Sequence, residues 1–100
     1  MGTDSEEVEW DDRKRDINLV KHGIDFFDAM RIWLGPTVTR RSDSGGEERY
    51  LSLGVMDNRV IVVVWTPRNG ARRLISARMA STHERACYAA FIARNGHRPH

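Results

Sequence analysis

Apolar residues recur at helical spacing in the first third of the chain. They form one stretch around Ile17 and a second over residues 26–33, and this period predicts two helices. Asp11 or Asp12 can cap the start of the first helix, and Gly23 lies where a left-handed residue can end it. Asp25 lies where the second helix should begin.

From residue 37 onward the pattern is typical of strands, since residues 49–56 alternate between apolar and polar side chains and residues 60–65 are apolar on both faces, as in a central strand. The predicted strands are residues 37–41, 49–56, 60–65 and 72–78, with a loop at 42–46. Tight turns at 57–58 and 67–70 join the later strands, which must therefore be antiparallel. Ser81 and Glu84 form an S-x-x-E capping box that starts a last helix, ending near residues 95–96.

The order of these elements predicts one α+β domain whose helices cover part of an antiparallel sheet. It runs from a short strand near Val8 through two helices and an antiparallel meander of about four strands to a C-terminal helix. We expect a flexible segment at residues 1–7, the folded domain at 8–95 and a tail at 96–100. The single cysteine excludes an internal disulfide, and no window approaches the roughly 18 apolar residues of a membrane span. We expect a cytoplasmic protein without a cofactor.

Charge is distributed unevenly although the net charge is only +2. Residues 1–50 carry 8 basic and 12 acidic side chains, whereas residues 51–100 carry 8 basic and 2 acidic ones. Arginine accounts for 14 of the 16 basic residues, and its planar guanidinium can bind a phosphate through two hydrogen bonds. This composition suits a polyanion or an acidic protein partner, and it fits a solvated arginine-rich surface equally well.

Lys21 and His22 immediately precede the glycine that is predicted to end the first helix. The helix dipole favours a cationic imidazole at this end, and histidine exchanges a proton readily near neutral pH. His22 therefore has two interpretations, an acid–base group or a cap for the last carbonyls of the helix.

Regular alternation along the last strand assigns its residues to two faces. One face carries Arg72, Leu74, Ser76 and Arg78, and the other carries Arg73, Ile75 and Ala77. We expect Arg78 to leave the sheet at the strand end and to meet Arg49 of a neighbouring strand, where both can bind a phosphate. The alternative is that these arginines pair with Glu47, Glu48 or Glu84.

The last helix carries Tyr88, whose ring belongs to an apolar face and whose hydroxyl could reach a polar site. Cys87 is not expected to be a nucleophile, because no histidine occupies an obvious partner position. The four histidines lack the spacing of metal ligands, so we predict no metal.

Two ordered motifs lie at opposite ends of the chain. W-D-x-x-K-x-x-x-N-x-x-K-H-G spans residues 10–23, and I-S-A-R-x-A-x-x-x-E-R-x-x-Y spans residues 75–88. With Glu48-Arg49 and Gly54 between them, they resemble the BrnT family, the toxins of BrnT/BrnA type II toxin–antitoxin modules. The resemblance covers about residues 8–90.

The resemblance implies a RelE-like fold and a metal-independent endoribonuclease that cleaves RNA and arrests translation. It also implies a BrnA-like antitoxin of ribbon-helix-helix type that neutralises the toxin. Operator DNA would be contacted only indirectly, through the antitoxin.

As a hypothesis, we assign five catalytic residues on these motif positions. His22 is the acid or base, Lys21, Arg49 and Arg78 hold phosphate, and Tyr88 stacks on a base or donates a hydrogen bond. Further RNA-binding candidates are Lys14, Arg72 and Arg85. Two carboxylates are also candidates: Glu48, whose alternative role is to orient Arg49, and Glu84, which also has its capping role.

Two other functions fit the same residues. The first is a non-catalytic module that binds RNA or the ribosome, for which only the arginines matter. The second is a purely structural co-repressor partner of the antitoxin that does not contact RNA.

Overall fold

The structure, a computed structural model, describes residues 7–43 and 46–95. Its elements are β1 (Glu7–Glu9), α1 (Asp12–His22), α2 (Phe26–Ala29) with a 3₁₀ segment (Met30–Leu34), β2 (Val38–Ser42), β3 (Arg49–Met56), β4 (Arg59–Arg68), β5 (Ala71–Met79) and α3 (Thr82–Arg94). Residues 1–6 of the predicted N-terminal segment, residues 44–45 of the predicted loop and the predicted tail 96–100 lie outside the described residues. No helix in the described ranges is long and apolar enough to cross a membrane.

The five strands form one sheet in the order β1-β5-β4-β3-β2. The predicted meander is confirmed, because β2 to β5 pair with their sequence neighbours in antiparallel fashion. The expectation of a wholly antiparallel sheet is wrong, since Glu7–Glu9 pairs in parallel with residues 71–73 of β5. Only strands joined by a tight turn are forced to be antiparallel, and two helices and three strands separate β1 from β5.

Each of the two central hairpins turns on a pair of residues with positive φ. These are Asp57 (52°) with Asn58 (66°), and Asn69 (54°) with Gly70 (82°). Such pairs are what a two-residue hairpin loop requires. The second turn is therefore shorter than the predicted turn at 67–70, and Pro67 lies within β4, opposite Arg72.

Side-chain caps begin all three helices where the sequence predicts them. Asp11 caps α1 and Asp25 caps α2, each by accepting a hydrogen bond from a backbone N–H two residues later. Gly23 ends α1 with a φ of 72°. Ser81 and Glu84 form the predicted capping box at the start of α3, so these local signals are confirmed.

Helices cover both faces of the sheet and divide the core into two clusters. The first cluster joins the sheet to α2 and the 3₁₀ segment; its buried members are Ile24, Phe26, Ala29, Ile32, Ile61, Val63, Leu74 and Ala77. The second lies between the sheet and α3; its buried members are Leu53, Val62, Ala80 and Tyr88. A side chain's cluster therefore shows which face of the sheet it occupies.

A β-bulge interrupts the pairing of β5 with β4. Val64 pairs with Ser76 and Trp65 pairs with Leu74, which leaves Ile75 as an extra residue. Leu74 and Ala77 consequently belong to the same core cluster. The regular alternation predicted for residues 72–78 is wrong for this reason, since the bulge reverses the facing of every residue that follows it.

α1 packs against the sheet through a polar residue. Asn18 is the only buried residue of this helix, whereas the apolar side chains of Ile17 and Val20 are 57% and 88% exposed. The helix therefore lies against the domain without burying a broad apolar face.

The Asn18 side-chain amide both accepts a hydrogen bond from the backbone of β5 and donates one to it. Its Oδ1 accepts from the Ala77 N–H at 3.0 Å, and its Nδ2 donates to the Ala77 carbonyl at 2.9 Å. The same Nδ2 donates to the Ile24 carbonyl at 2.9 Å. Asn18 thus occupies the position of a neighbouring strand on the edge of β5, beyond the residues that pair with β1.

Replacing Asn18 with alanine should destabilise the domain strongly. The Asn18→Ala change leaves the buried N–H and C=O of Ala77 without these partners, and each unsatisfied group costs about 1–3 kcal/mol. We expect a loss of about 2–4 kcal/mol in the free energy of unfolding, measured by urea denaturation.

Asn95→Ala is the matched control, because Asn95 is exposed and, within the described residues, its side-chain amide bonds only to the Phe91 carbonyl. We expect that variant to lose at most about 1 kcal/mol. Equal stability of Asn18→Ala and the wild-type protein would contradict the proposed role of the Asn18 amide.

Candidate active site

An open cleft runs between α1 and β5, which we call the α1–β5 cleft. It consists of two adjoining cavities that share Lys14 and Ile75 in their walls. The His22 cavity has a volume of about 290 Å³ and is lined by Lys14, Ile17, Asn18, Lys21, His22, Ile75 and Ser76. The arginine pocket has a volume of about 300 Å³ and is lined by Lys14, Glu47, Arg49, Thr66, Pro67, Arg68, Arg73, Leu74 and Ile75.

Helical spacing positions the side chains of the His22 cavity. Lys14, Asn18 and Lys21 are four and three residues apart and so share one face of α1. Asn18 fixes this face against β5, and His22 in the last turn completes the wall opposite Ser76. The cavity therefore combines two ammonium groups with a half-buried imidazole, a set able to bind an anion and to transfer a proton.

Strands β3, β4 and β5 build the arginine pocket. It contains the cations of Lys14, Arg49, Arg68 and Arg73 and the carboxylate of Glu47. Arg49 approaches Glu47 only to 3.5 Å, and Arg73 approaches Glu9 of β1 to 3.3 Å. The pocket is therefore strongly electropositive.

Arg68 and Arg73 were not among the residues predicted for the site. Both lie near the Asn69-Gly70 turn, where Arg73 pairs with Thr66 and Arg68 pairs with Ala71. Both line the pocket together with Arg49. The available signal in the sequence was the presence of two arginines close to one predicted turn.

Arg78 is bound by a carboxylate in this structure. Its two terminal nitrogens donate to the two Glu84 oxygens at 2.9 and 3.0 Å. The Ser81 N–H also donates to Glu84, at 2.8 Å. The Arg78 hydrogen bonds make the largest contribution to lowering the pKa of Glu84 from 4.5 to about 2, and the Ser81 hydrogen bond adds to it against the opposing effect of burial.

Arg78 and Arg49 do not meet as the sequence analysis expected. Arg78 pairs with Val62, which in turn pairs with Leu53 of β3. Arg49 lies four residues from that level, at the start of β3, and β4 separates β3 from β5. The structure brings Arg49 beside Arg73 instead.

Two α3 candidates contact the protein's own backbone. Tyr88 is 7% exposed and donates its hydroxyl proton to the Pro36 carbonyl at 2.8 Å. Burial raises the pKa of this phenol. Arg85 donates to the Ala80 carbonyl at 3.1 Å. Neither residue lines the two cavities of the cleft.

Arg72 and Glu48 also lie apart from these cavities. The Arg72 guanidinium lies 4.4 Å from the ring centre of Trp33 and 5.3 Å from that of Trp65, on the sheet face covered by α2. Glu48 accepts the Tyr50 hydroxyl at 2.7 Å. Of the ten predicted site residues, four therefore line the cleft: Lys14, Lys21, His22 and Arg49.

Cys87 has a histidine neighbour that the sequence analysis did not anticipate. Its sulfur lies 3.7 Å from Nε2 of His83, one helical turn earlier. The statement that no histidine occupies a partner position is therefore wrong, because residues four apart meet on one helix face. Within the described ranges, no group of three or more His, Cys, Asp or Glu side chains could hold a metal ion.

The fold and the cleft define a small α+β protein with a basic, histidine-containing groove. The sequence matches the family of BrnT ribonuclease toxins of type II toxin–antitoxin systems over residues 10–84. This span contains α1, the whole meander and the start of α3. The chain therefore belongs to the BrnT toxin family.

A solved structure agrees with the family match. The crystal structure of the ribonuclease toxin BrnT of Brucella abortus is similar to this fold with a TM-score of 0.65 and 28% sequence identity. The similarity covers 78% of this chain and 100% of the Brucella chain. Among curated proteins, no sequence matches.

The Arg78–Glu84 pair predicts a specific pH dependence of stability. Because the folded-state pKa of Glu84 is depressed, its contribution is complete above about pH 4.5 and is lost as the pH falls toward 2. Glu84→Gln should lower the free energy of unfolding by about 2–3 kcal/mol at pH 6 and by much less near pH 2.5.

The measurement is urea unfolding of both proteins across this pH range. Asp43→Asn serves as the control, because its carboxylate is 77% exposed beside Arg41 and such surface pairs contribute little. If the stability difference between Glu84→Gln and wild type stayed constant from pH 6 to pH 2.5, ionisation of Glu84 would not be the source of the pH dependence.

Proposed function

We propose that this chain is a metal-independent endoribonuclease toxin and that the α1–β5 cleft is its active site. Membership of the BrnT family supports RNA as the substrate class. The observation that carries the assignment is the presence of His22, Lys14 and Lys21 in one cavity. We further propose that the fold is of the RelE-like type.

RNA can be cleaved by its own 2′-hydroxyl. The 2′ oxygen attacks the adjacent phosphorus and loses its proton, while the bond to the 5′ oxygen breaks and that oxygen gains a proton. The products are a 2′,3′-cyclic phosphate and a 5′-hydroxyl. Such a reaction requires a base, an acid and positive charge near the phosphate.

Side chains of the His22 cavity match these requirements. We assign one of the two proton transfers to His22. The Lys14 and Lys21 ammonium groups stabilise the additional negative charge on the phosphate oxygens in the transition state. Because these two ammonium groups supply positive charge at the reacting phosphate, we propose that cleavage proceeds without a metal ion.

Four of the other candidates have contacts that stabilise the fold. Arg78 and Glu84 bind each other, Tyr88 bonds to the Pro36 carbonyl, and Arg85 bonds to the Ala80 carbonyl. The catalytic role assigned to Arg78 and Tyr88 and the RNA-binding role assigned to Arg85 stay predictions, which these contacts do not test.

The type II system of the family implies an antitoxin partner. We propose a BrnA-like antitoxin of ribbon-helix-helix type that neutralises the toxin in the cytoplasm and contacts operator DNA itself. An acidic segment of that antitoxin would complement the lysines and arginines of the α1–β5 cleft.

The His22→Ala variant tests the proposed function. Losing a positioned acid or base should reduce RNA cleavage by about 10²–10⁴-fold, and growth arrest on expression without antitoxin should disappear. The measurement combines growth curves with the integrity of total RNA and with cleavage of an RNA oligonucleotide by purified protein. His83→Ala is the matched control, because His83 is an exposed histidine on α3.

Each alternative function predicts a different result. Growth arrest with intact RNA, equal in wild type and His22→Ala, would indicate a module that binds RNA or the ribosome without cleaving it. No arrest and no cleavage by folded wild-type protein would indicate a structural partner of the antitoxin. Either result would overturn the proposed ribonuclease function.

A further inference from the structure

The arginine pocket contains more positive charge than its own carboxylate neutralises. Among the described residues, three guanidinium groups and the Lys14 ammonium line the pocket with one carboxylate, that of Glu47, and Glu9 pairs with Arg73 from outside the lining. Glu47 is exposed, and its 3.5 Å separation from Arg49 makes a weak pair. Like charges held this close repel one another, and an anion in the pocket would relieve that repulsion.

Arg49 provides an independent indication that the arginine pocket binds an anion. Its Nε is buried, yet no hydrogen-bond acceptor in the described part of the chain reaches it. A buried N–H without a partner costs free energy, and such groups are rare in folded proteins. Arg49 lines the arginine pocket, where an anion oxygen can bond to the terminal nitrogens of the same guanidinium.

The geometry of the cleft connects this pocket to the His22 cavity. Lys14 of α1 and the bulged Ile75 of β5 line both cavities. A polymer that passes His22 can therefore continue directly past Lys14 into the arginine pocket. Single-stranded RNA carries one phosphate per nucleotide along such a path, whereas a free anion would occupy only one cavity.

We propose that the arginine pocket is a binding subsite for an RNA phosphate that flanks the cleaved one. Arg68, Arg73 and Arg49 hold this flanking phosphate by charge-assisted hydrogen bonds, and they do not take part in bond breaking. The inference rests on the proposed function, which assigns cleavage to the His22 cavity. It predicts that the toxin requires a substrate with at least two neighbouring phosphates.

Neutral phosphate analogues test the subsite directly. An RNA oligonucleotide with one cleavage position is prepared in versions that each carry a single methylphosphonate, which removes the charge of one linkage. In wild type, one neutral flanking linkage should lower kcat/KM by about 10- to 100-fold, mainly by raising KM.

In the arginine variants, removing the charge of that same linkage should have little effect on cleavage. Arg68→Ala and Arg73→Ala should cleave natural RNA with a raised KM and should lose less than about 2-fold further on the neutral analogue. Arg73→Ala removes the Arg73–Glu9 ion pair and could thereby disturb β1. Arg68 is exposed at the end of β4, so Arg68→Ala tests the subsite without that risk. Arg94→Ala, a variant on α3 with the same loss of charge, should behave like wild type.

Binding separates this inference from the proposed function. A 2′-O-methyl version of the oligonucleotide cannot be cleaved, and its affinity for wild type, Arg68→Ala and Arg73→Ala should show the same dependence on the neutral linkage. If wild type binds in this way but never cleaves natural RNA, the proposed function fails and the subsite stands.

Three results would overturn the subsite. One is a wild-type protein that tolerates a neutral linkage at every flanking position. Another is an Arg68→Ala variant as sensitive to the neutral linkage as wild type. The third is that the arginine variants bind RNA as wild type does but no longer bind an acidic peptide. That result would make the arginine pocket a protein-binding site.

Discussion

The hydrogen bonds of Asn18 determine where the site forms. One buried amide replaces a strand at the edge of β5 and holds α1 against it by two bonds to Ala77 and one to Ile24. Because the exposed apolar residues of α1 contribute little packing, this polar contact sets the position of the helix. The positions of Lys14, Lys21 and His22 opposite β5 follow from it.

A second constraint acts on the other wall of the cleft. The bulge at Ile75 separates Leu74, which belongs to the core, from Ser76, which lines the His22 cavity. A regular strand would turn Ser76 toward the same face as Leu74. The bulge thus opens the strand to the cleft while the core on the opposite face remains continuous.

Local chemistry allowed most of the fold to be predicted from the sequence. The caps at Asp11, Asp25 and Ser81 and the turn at residues 57–58 depend on neighbouring residues, and all appear in the structure. The parallel pairing of β1 and the bulge at Ile75 depend on contacts between distant segments. The spacing of apolar residues within one segment carries no information about contacts with distant segments. These two features were therefore not predicted.

The candidate site shows the same division between local and distant information. Lys14, Lys21 and His22 share one helix, and their proximity could be predicted from spacing alone. The convergence of Arg49 with Arg73 requires the register of three strands, and the sequence analysis paired Arg49 with Arg78 instead. Motif residues such as Asn18 and Tyr88 have structural contacts that spacing does not distinguish from catalytic ones.

The central claim is that RNA occupies the α1–β5 cleft. Its most direct test is the change in backbone amide NMR shifts when an uncleavable 2′-O-methyl RNA is titrated into the protein. If RNA binds there, the largest changes fall in α1 from Lys14 to His22, around Thr66 to Arg68 and at residues 73–76. Changes concentrated instead on β2 and α3, around Val38 and Phe91, would contradict it.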